Sequence, residues 1–127
     1  MFKDTHAFTS FSTDNIEKAK EFYGQTLGLD VTDMSIGLSI KIAGGGGIFI
    51  YPKPNHAPAT YTILNFPVDD INKAVDGLTA RGVKFESYDG EMTTDEKGVL
   101  RGGPGKGPSI AWFKDPAGNI LSVLEQK

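Results

Sequence analysis

The chain has 127 residues, 39% of them hydrophobic and 23% charged, with eight Phe, four Tyr, one Trp and no Cys. That length and balance fit one globular domain, and the absence of Cys excludes disulfides, thiolate nucleophiles and thiolate-held metals, leaving His, Asp and Glu as the strong ligands. A formal charge of −3 with both signs interspersed offers no basic face to nucleic acid, and no stretch approaches the roughly 18 apolar residues of a membrane span, so a cytoplasmic protein is expected.

From the N-terminus, His6 to Ser12 (HAFTSFS) is rich in β-branched and aromatic residues and reads as a strand. Thr13 or Asp14 then caps a helix with Glu17 in its first turn. Ile16, Ala19, Phe22, Tyr23 and Leu27 recur with helical spacing, and Gly28 stops the helix. Strand-like runs follow at Leu29–Val31, Gly37–Ile42 and Gly47–Tyr51, the last two separated by the reversal that Gly44–Gly47 permits. Three prolines in PKPNHAPAT make an irregular linker, in which His56 reads most simply as an exposed side chain.

The pattern then repeats. FSTDNIEKAKEFY from Phe11 aligns with FPVDDINKAVDGL from Phe66, an offset of 55 residues. Tyr61–Val68 reads as a strand, Asp69 as a cap, Ile71, Ala74, Val75 and Leu78 as the apolar stripe, and Gly82 as the stop. Asp69 and the adjacent Asp70 suit a helix N-terminus better than a catalytic carboxylate pair. Strands are expected at Val83–Tyr88, Ser109–Lys114 and Ile120–Glu125, the last two joined by the strong turn signal Asp115-Pro116-Ala117-Gly118-Asn119. Between them Asp89–Pro108 holds too many glycines and charges for a buried element. It reads as a mobile loop or lid from which Arg101 and Lys106 could reach an anionic ligand. Its GPGKG is no phosphate loop, because Gly107 stands where Ser or Thr is required and no helix follows.

The order β-α-β-β-β, twice, predicts an α+β fold: two βαβββ modules in tandem, a curved mixed sheet around a cavity and helices on the outer faces. Module one spans about 4–53 and module two about 60–126 of a single domain over 1–127. Along the final strand Leu121 and Val123 point one way, Ser122 and Leu124 the other.

The repeat, the Phe22-Tyr23 pair followed by Leu27-Gly28-Leu29, and the late DPAGN turn together resemble the vicinal oxygen chelate superfamily over His6 to Glu125. That group contains glyoxalase I, the bleomycin and fosfomycin resistance proteins and the extradiol dioxygenases. The resemblance implies a divalent metal held by His or Glu from the first and last strands of each module, at positions that fall here on Phe8, Tyr51, Ile63 and Ser122. None of the four supplies imidazole or carboxylate. A strand slip of two residues would substitute His6 or Ser10 for Phe8, and Tyr61 or Asn65 for Ile63, which leaves one histidine at best. At the mouth of a strand, His6 reads more simply as a hydrogen-bonded rim residue.

The expectation is therefore metal-independent binding or sequestration of a small organic molecule, with no cofactor and no assigned catalytic residue. The candidate pocket residues are Phe8, Ser10, Tyr51, Ile63, Asn65, Trp112 and Ser122, with Arg101 from the long loop. Trp112 suits a pocket wall that stacks on a planar ligand, although a large aromatic in a strand is more often plain core. The alternative is a glyoxalase-like lyase, isomerase or dioxygenase whose divalent metal sits at a relocated site drawn from His6, His56, Tyr51 or Glu91. The resemblance also implies a homodimer.

Overall fold

A computed structural model describes residues 1–126. The chain divides into two compact units, one over Met1–Ala57 and one from Pro58 onward. Each is a four-stranded mixed sheet with one helix, so the fold is α+β and built as two tandem modules.

In the first unit the elements are β1 (Thr9–Thr13), α1 (Ile16–Glu21), β2 (Asp30–Met34), β3 (Gly37–Lys41) and β4 (Gly47–Pro52). The sheet order is β1-β4-β3-β2, with β1 parallel to β4 and the remaining pairs antiparallel. The second unit contains β5 (Thr62–Val68), α2 (Ile71–Ala80), β6 (Val99–Leu100), β7 (Ile110–Lys114) and β8 (Ile120–Glu125) in the equivalent order β5-β8-β7-β6.

The 55-residue offset of the sequence repeat is the offset of the folded modules, since α1 begins at Ile16 and α2 at Ile71. Both caps lie one residue later than the sequence suggests. Asn15 Oδ1 accepts from the Lys18 N–H at 3.0 Å and Asp70 Oδ1 from the Lys73 N–H at 3.1 Å. Asp14 and Asp69 are exposed instead, and Thr13 is buried at the end of β1 with its hydroxyl accepting from the Asn15 N–H. Asn and Asp fill this role because their short acceptors reach an otherwise orphaned N–H.

The expected first helix is also not uniform. After Glu21 it widens into a π-turn over Phe22–Thr26, in which the Leu27 N–H donates to Phe22 O five residues back at 2.9 Å. Tyr23 there is fully buried, 6.0 Å from Phe11 and 5.2 Å from Phe22 between ring centroids. At the end of α2 the Val83 N–H reaches Leu78 O and the Gly82 N–H reaches Thr79 O, both at 3.0 Å, with Gly82 at φ +92°. This paired closure needs a left-handed residue, which is why glycine stops the helix.

The helices cover one face of their sheets: α1 packs on β3 and β4, and α2 on β7 and β8. Leu38, Ile40, Ile48 and Ile50 are buried in the first unit, and Ile71, Val75, Ala111, Phe113, Leu121 and Val123 in the second. Each large aliphatic or aromatic side chain removed from water contributes roughly 1.5–3 kcal/mol, so these layers hold helix to sheet.

Two strand assignments need correction. Val83–Tyr88 is not a regular strand: its backbone meets β7 through the Phe85–Phe113 bridge and the Glu86 N–H donating to Trp112 O at 2.8 Å. The rest of that β7 edge is taken by β6, which lies inside the segment expected to be an unburied loop, and Val99 is fully buried. Gly98 makes this approach possible, since a Cβ there would sit 2.9 Å from Phe85 Cβ at φ +84°. Likewise the first strand begins at Thr9 rather than His6.

The DPAGN turn is a buried hydrogen-bond cluster. Asp115 Oδ1 accepts from the Ala117 and Asn119 N–H groups at 2.9 Å each, and Asn119 Nδ2 donates to Asp115 Oδ2 at 2.9 Å. Asp115→Ala leaves those donors without their carboxylate. It should lower stability by about 3 kcal/mol and the melting temperature by roughly 10 °C, measured by urea and thermal unfolding followed by circular dichroism; an unchanged midpoint would refute the assignment.

Candidate functional site

In each unit the sheet face away from the helix carries the candidate residues. In the first unit the register pairs Ser10 with Phe49 and Ser12 with Tyr51, and Ser39 opposes Phe49 from β3. Strand alternation sets these opposite the buried Ile48 and Ile50. Phe49 and Tyr51 stack with ring centroids 6.3 Å apart and planes 16° from parallel, a flat aromatic platform flanked by hydroxyls. Phe49 and Ser12 were not among the sequence candidates, although their two-residue spacing from Tyr51 and Ser10 was visible in GIFIY and SFS.

His56 is not the exposed linker residue the sequence suggests. It is half-buried, and Ser12 Oγ and His56 Nδ1 lie 2.6 Å apart. The backbone brings it there: β4 runs on past Tyr51, the Lys53 N–H donates to Thr13 O at 3.0 Å, and the His56 N–H donates to Lys53 O at 3.1 Å. His6 is exposed and lies before β1, and so does Phe8, which is 70% exposed.

In the second unit Asn65, Ser122 and Trp112 form one row across β5, β8 and β7. Ser122 is fully buried and donates its hydroxyl hydrogen to Asn65 Oδ1. Trp112 Nε1 donates to Thr62 Oγ1 at 3.0 Å, and Tyr88 meets the indole edge-on at 5.6 Å between centroids. The β5–β8 register shifts between Thr62 and Leu64, so Ile63 is the extra residue of a bulge, half-exposed beside Thr62. Beside this row opens a cleft of about 660 Å³, walled by Tyr61, Thr62, Tyr88, Met92, Trp112 and Ile120. Trp112 is thus both core, at 9% exposure, and cleft wall. Tyr88 and Thr62 were missed in the sequence because the first ends an irregular run and the second depends on the bulge.

Arg101 does not project from a free lid. Its Nε donates to Asp95 Oδ2 at 2.9 Å and its Nη2 to Asn72 Oδ1 at 2.7 Å. Asp95 organises the segment: its carboxylate also accepts from the Lys97 and Val99 N–H groups at 2.9 Å. Burial pushes this carboxyl up, but the hydrogen bonds from Val99, Arg101 and Lys97 and the guanidinium charge together outweigh it and hold the group below its ordinary value.

The four positions where the resemblance implies metal ligands hold a hydrocarbon at Phe8, a stacked phenol at Tyr51, a hydrocarbon at Ile63 and an engaged hydroxyl at Ser122. This donor set does not fit a divalent cation, which needs imidazole or carboxylate to replace its hydration. Among the described residues no three His, Asp or Glu side chains are grouped so as to hold a metal ion. Glu125, the carboxylate at the end of β8, accepts from the Ile71 N–H at 3.0 Å and anchors the start of α2. Glu91 lies on the short 3₁₀ turn Gly90–Met92 at the rim of the cleft.

The model of the Glyoxalase/Bleomycin resistance protein/Dioxygenase superfamily matches residues 6–123, and the chain belongs to that superfamily. No curated protein matches it in sequence. Among solved structures it is similar to TnmS3, an antibiotic binding protein from Streptomyces sp. CB03234, at 21% identity and TM-score 0.68 over 100% of both chains. It is also similar to a glyoxalase family protein from Enterococcus faecalis, at 22% identity and TM-score 0.69 over 98% of both. An integron cassette protein from the mobile metagenome of V. Cholerae shares 19% identity and TM-score 0.67 over 100% of this chain and 99% of that one. At such identities the likeness is one of fold. No helix among the described residues is long and apolar enough to cross a membrane.

Because the Asp95 carboxyl is held below its ordinary value of 3.8, its stabilisation is complete above that pH and is lost as pH falls through the lowered native value. Asp95→Asn should therefore be less stable than the parent at pH 7, with the difference shrinking below about pH 4. Paired urea titrations at pH 7, 4 and 2.5 check this, and a gap constant across the series would contradict it.

Proposed function

We propose that this protein binds or sequesters a small, partly aromatic organic molecule in the cytoplasm without a metal, using the helix-free faces of its sheets. The observation that carries the reading is the indole of Trp112, fixed by Thr62, set edge-on to Tyr88 and walling a cleft of about 660 Å³. That volume falls in the range of drug-sized ligand sites, and rigid aromatic walls with a few placed hydroxyls are what such sites use. The Phe49–Tyr51 platform, with Ser10, Ser12 and His56 beside it, supplies the same chemistry in the first unit. Asn65 and Ser122 continue the row that ends at Trp112, the half-exposed Ile63 lies beside the cleft residue Thr62, and Phe8 precedes β1, which pairs with the platform strand β4. The likeness in fold to TnmS3, an antibiotic binding protein, favours a binding role over a catalytic one.

The same reading includes a homodimer. Met34 and Ile36, 46% and 69% exposed at the β2–β3 turn, are apolar side chains that a second copy would cover. In this reading Arg101 braces its own segment rather than the ligand, which its hydrogen bonds to Asp95 and Asn72 support.

Thermal-shift measurements against a panel of polycyclic aromatic compounds, antibiotics among them, test the proposal. A ligand present at 100 times its Kd should add about 2.7 kcal/mol of stability. Tyr51→Ala and Trp112→Ala, each first shown to be folded, should weaken binding. No stabilisation by any compound, or turnover that requires one metal ion per chain, would overturn it.

A further inference from the structure

The long loop of the second unit carries Arg101 and Lys106, and the sequence alone suggests an anionic ligand. The structure reverses that charge. Arg101 is held by Asp95 and Asn72, and both basic residues line the neighbouring groove, not the aromatic cleft. The cleft lining contains two carboxylates, Asp89 and Glu91, and no Lys, Arg or His. The nearest basic residue along β7, Lys114, is paired with Glu86 at 3.4 Å.

From this we infer that the second-unit cleft selects flat aromatic molecules bearing a positive charge, such as a protonated amine, over neutral or anionic ones; the inference rests on the small-molecule reading above. Three features act in the same direction. Three aromatic side chains, Tyr61, Tyr88 and Trp112, line the cleft, and an aromatic face attracts a cation through its negative quadrupole. Asp89 and Glu91 add formal negative charge at the rim, where an amine on a ring lying against Trp112 would reach solvent. Met92 supplies a polarisable apolar wall for the ring itself.

The rim is ordered, which lets the charges discriminate. Tyr88 is clamped on both backbone sides: its N–H donates to Thr94 Oγ1 at 2.8 Å and its carbonyl accepts from the Thr94 N–H at 2.9 Å. Thr93 Oγ1 donates to Gly90 O at 2.6 Å and closes the 3₁₀ turn that carries Glu91 and Met92. A ligand therefore meets walls already in position and does not have to order them.

Both carboxylates are exposed, so their effect is modest and screened by salt. Isothermal titration with three planar three-ring probes measures it: cationic proflavine, neutral acridone and anionic anthraquinone-2-sulfonate. Proflavine should bind roughly three- to tenfold more tightly than acridone, and the sulfonate more weakly than acridone. The preference should shrink at high salt and in the Asp89→Asn/Glu91→Gln double variant, and Glu91→Lys should favour the sulfonate. Trp112, the only Trp in the sequence, reports occupancy of the cleft by its own emission. Equal affinities for the three probes, or tightest binding of the sulfonate, would overturn the charge preference and leave the small-molecule reading standing. If no probe bound or altered Trp112 emission, both would fall.

Discussion

The arrangement of the second unit depends on where β8 sits between its neighbours. One strand, paired in parallel with β5 and antiparallel with β7, fixes which side chains face α2 and which face away. A shift of one residue would exchange the two sets, because strand side chains alternate. The Asp115–Asn119 cluster sets that register at the point where the chain turns from β7 into β8. Its carboxylate binds N–H groups on the far side of the turn, and the Asp115 N–H returns the bond to Asn119 O at 2.9 Å. Leu121 and Val123 then pack under α2, while Ser122 lies between Asn65 and Trp112.

That placement decides the chemistry. A carboxylate at the Ser122 position would share a face with Asn65 and Trp112, where the superfamily resemblance places a metal ligand. A hydroxyl there closes on Asn65 instead, and the indole beside it is fixed by Thr62. The carboxylate that β8 does carry, Glu125, lies three residues on and binds the first N–H of α2. The local chemistry of this face is thus that of rings and neutral hydrogen-bonding groups, with negative charge only at the rim of the cleft. Such a surface orients and holds a molecule, which is why binding and not turnover is the proposed role.

Much of this was legible from the residues. The repeat located the start of both helices to within about a residue and gave their 55-residue offset, since α1 begins at Ile16 and α2 at Ile71. Glycine and apolar alternation delimited β3, β4, β7 and β8 to within about a residue, and the DPAGN turn announced itself by composition. What sequence could not supply was long-range. β6 is two residues long and owes its burial to Gly98 letting the chain lie against Phe85, a contact that no local pattern encodes. His56 looked like a linker side chain until the continuation of β4 carried it back to Ser12. Arg101 looked like a ligand-binding cation because its partners, Asp95 and Asn72, are 6 and 29 residues away in sequence.

The central proposal, ligand recognition by an aromatic and hydroxyl surface without a metal, is tested most directly by metal binding to the purified protein. Equilibrium dialysis against zinc, nickel, manganese and iron(II), followed by elemental analysis of the protein, gives the stoichiometry. The account predicts that none of these ions is retained at a stoichiometric level. One ion retained per chain, and lost in His56→Ala or Glu91→Gln, would contradict it.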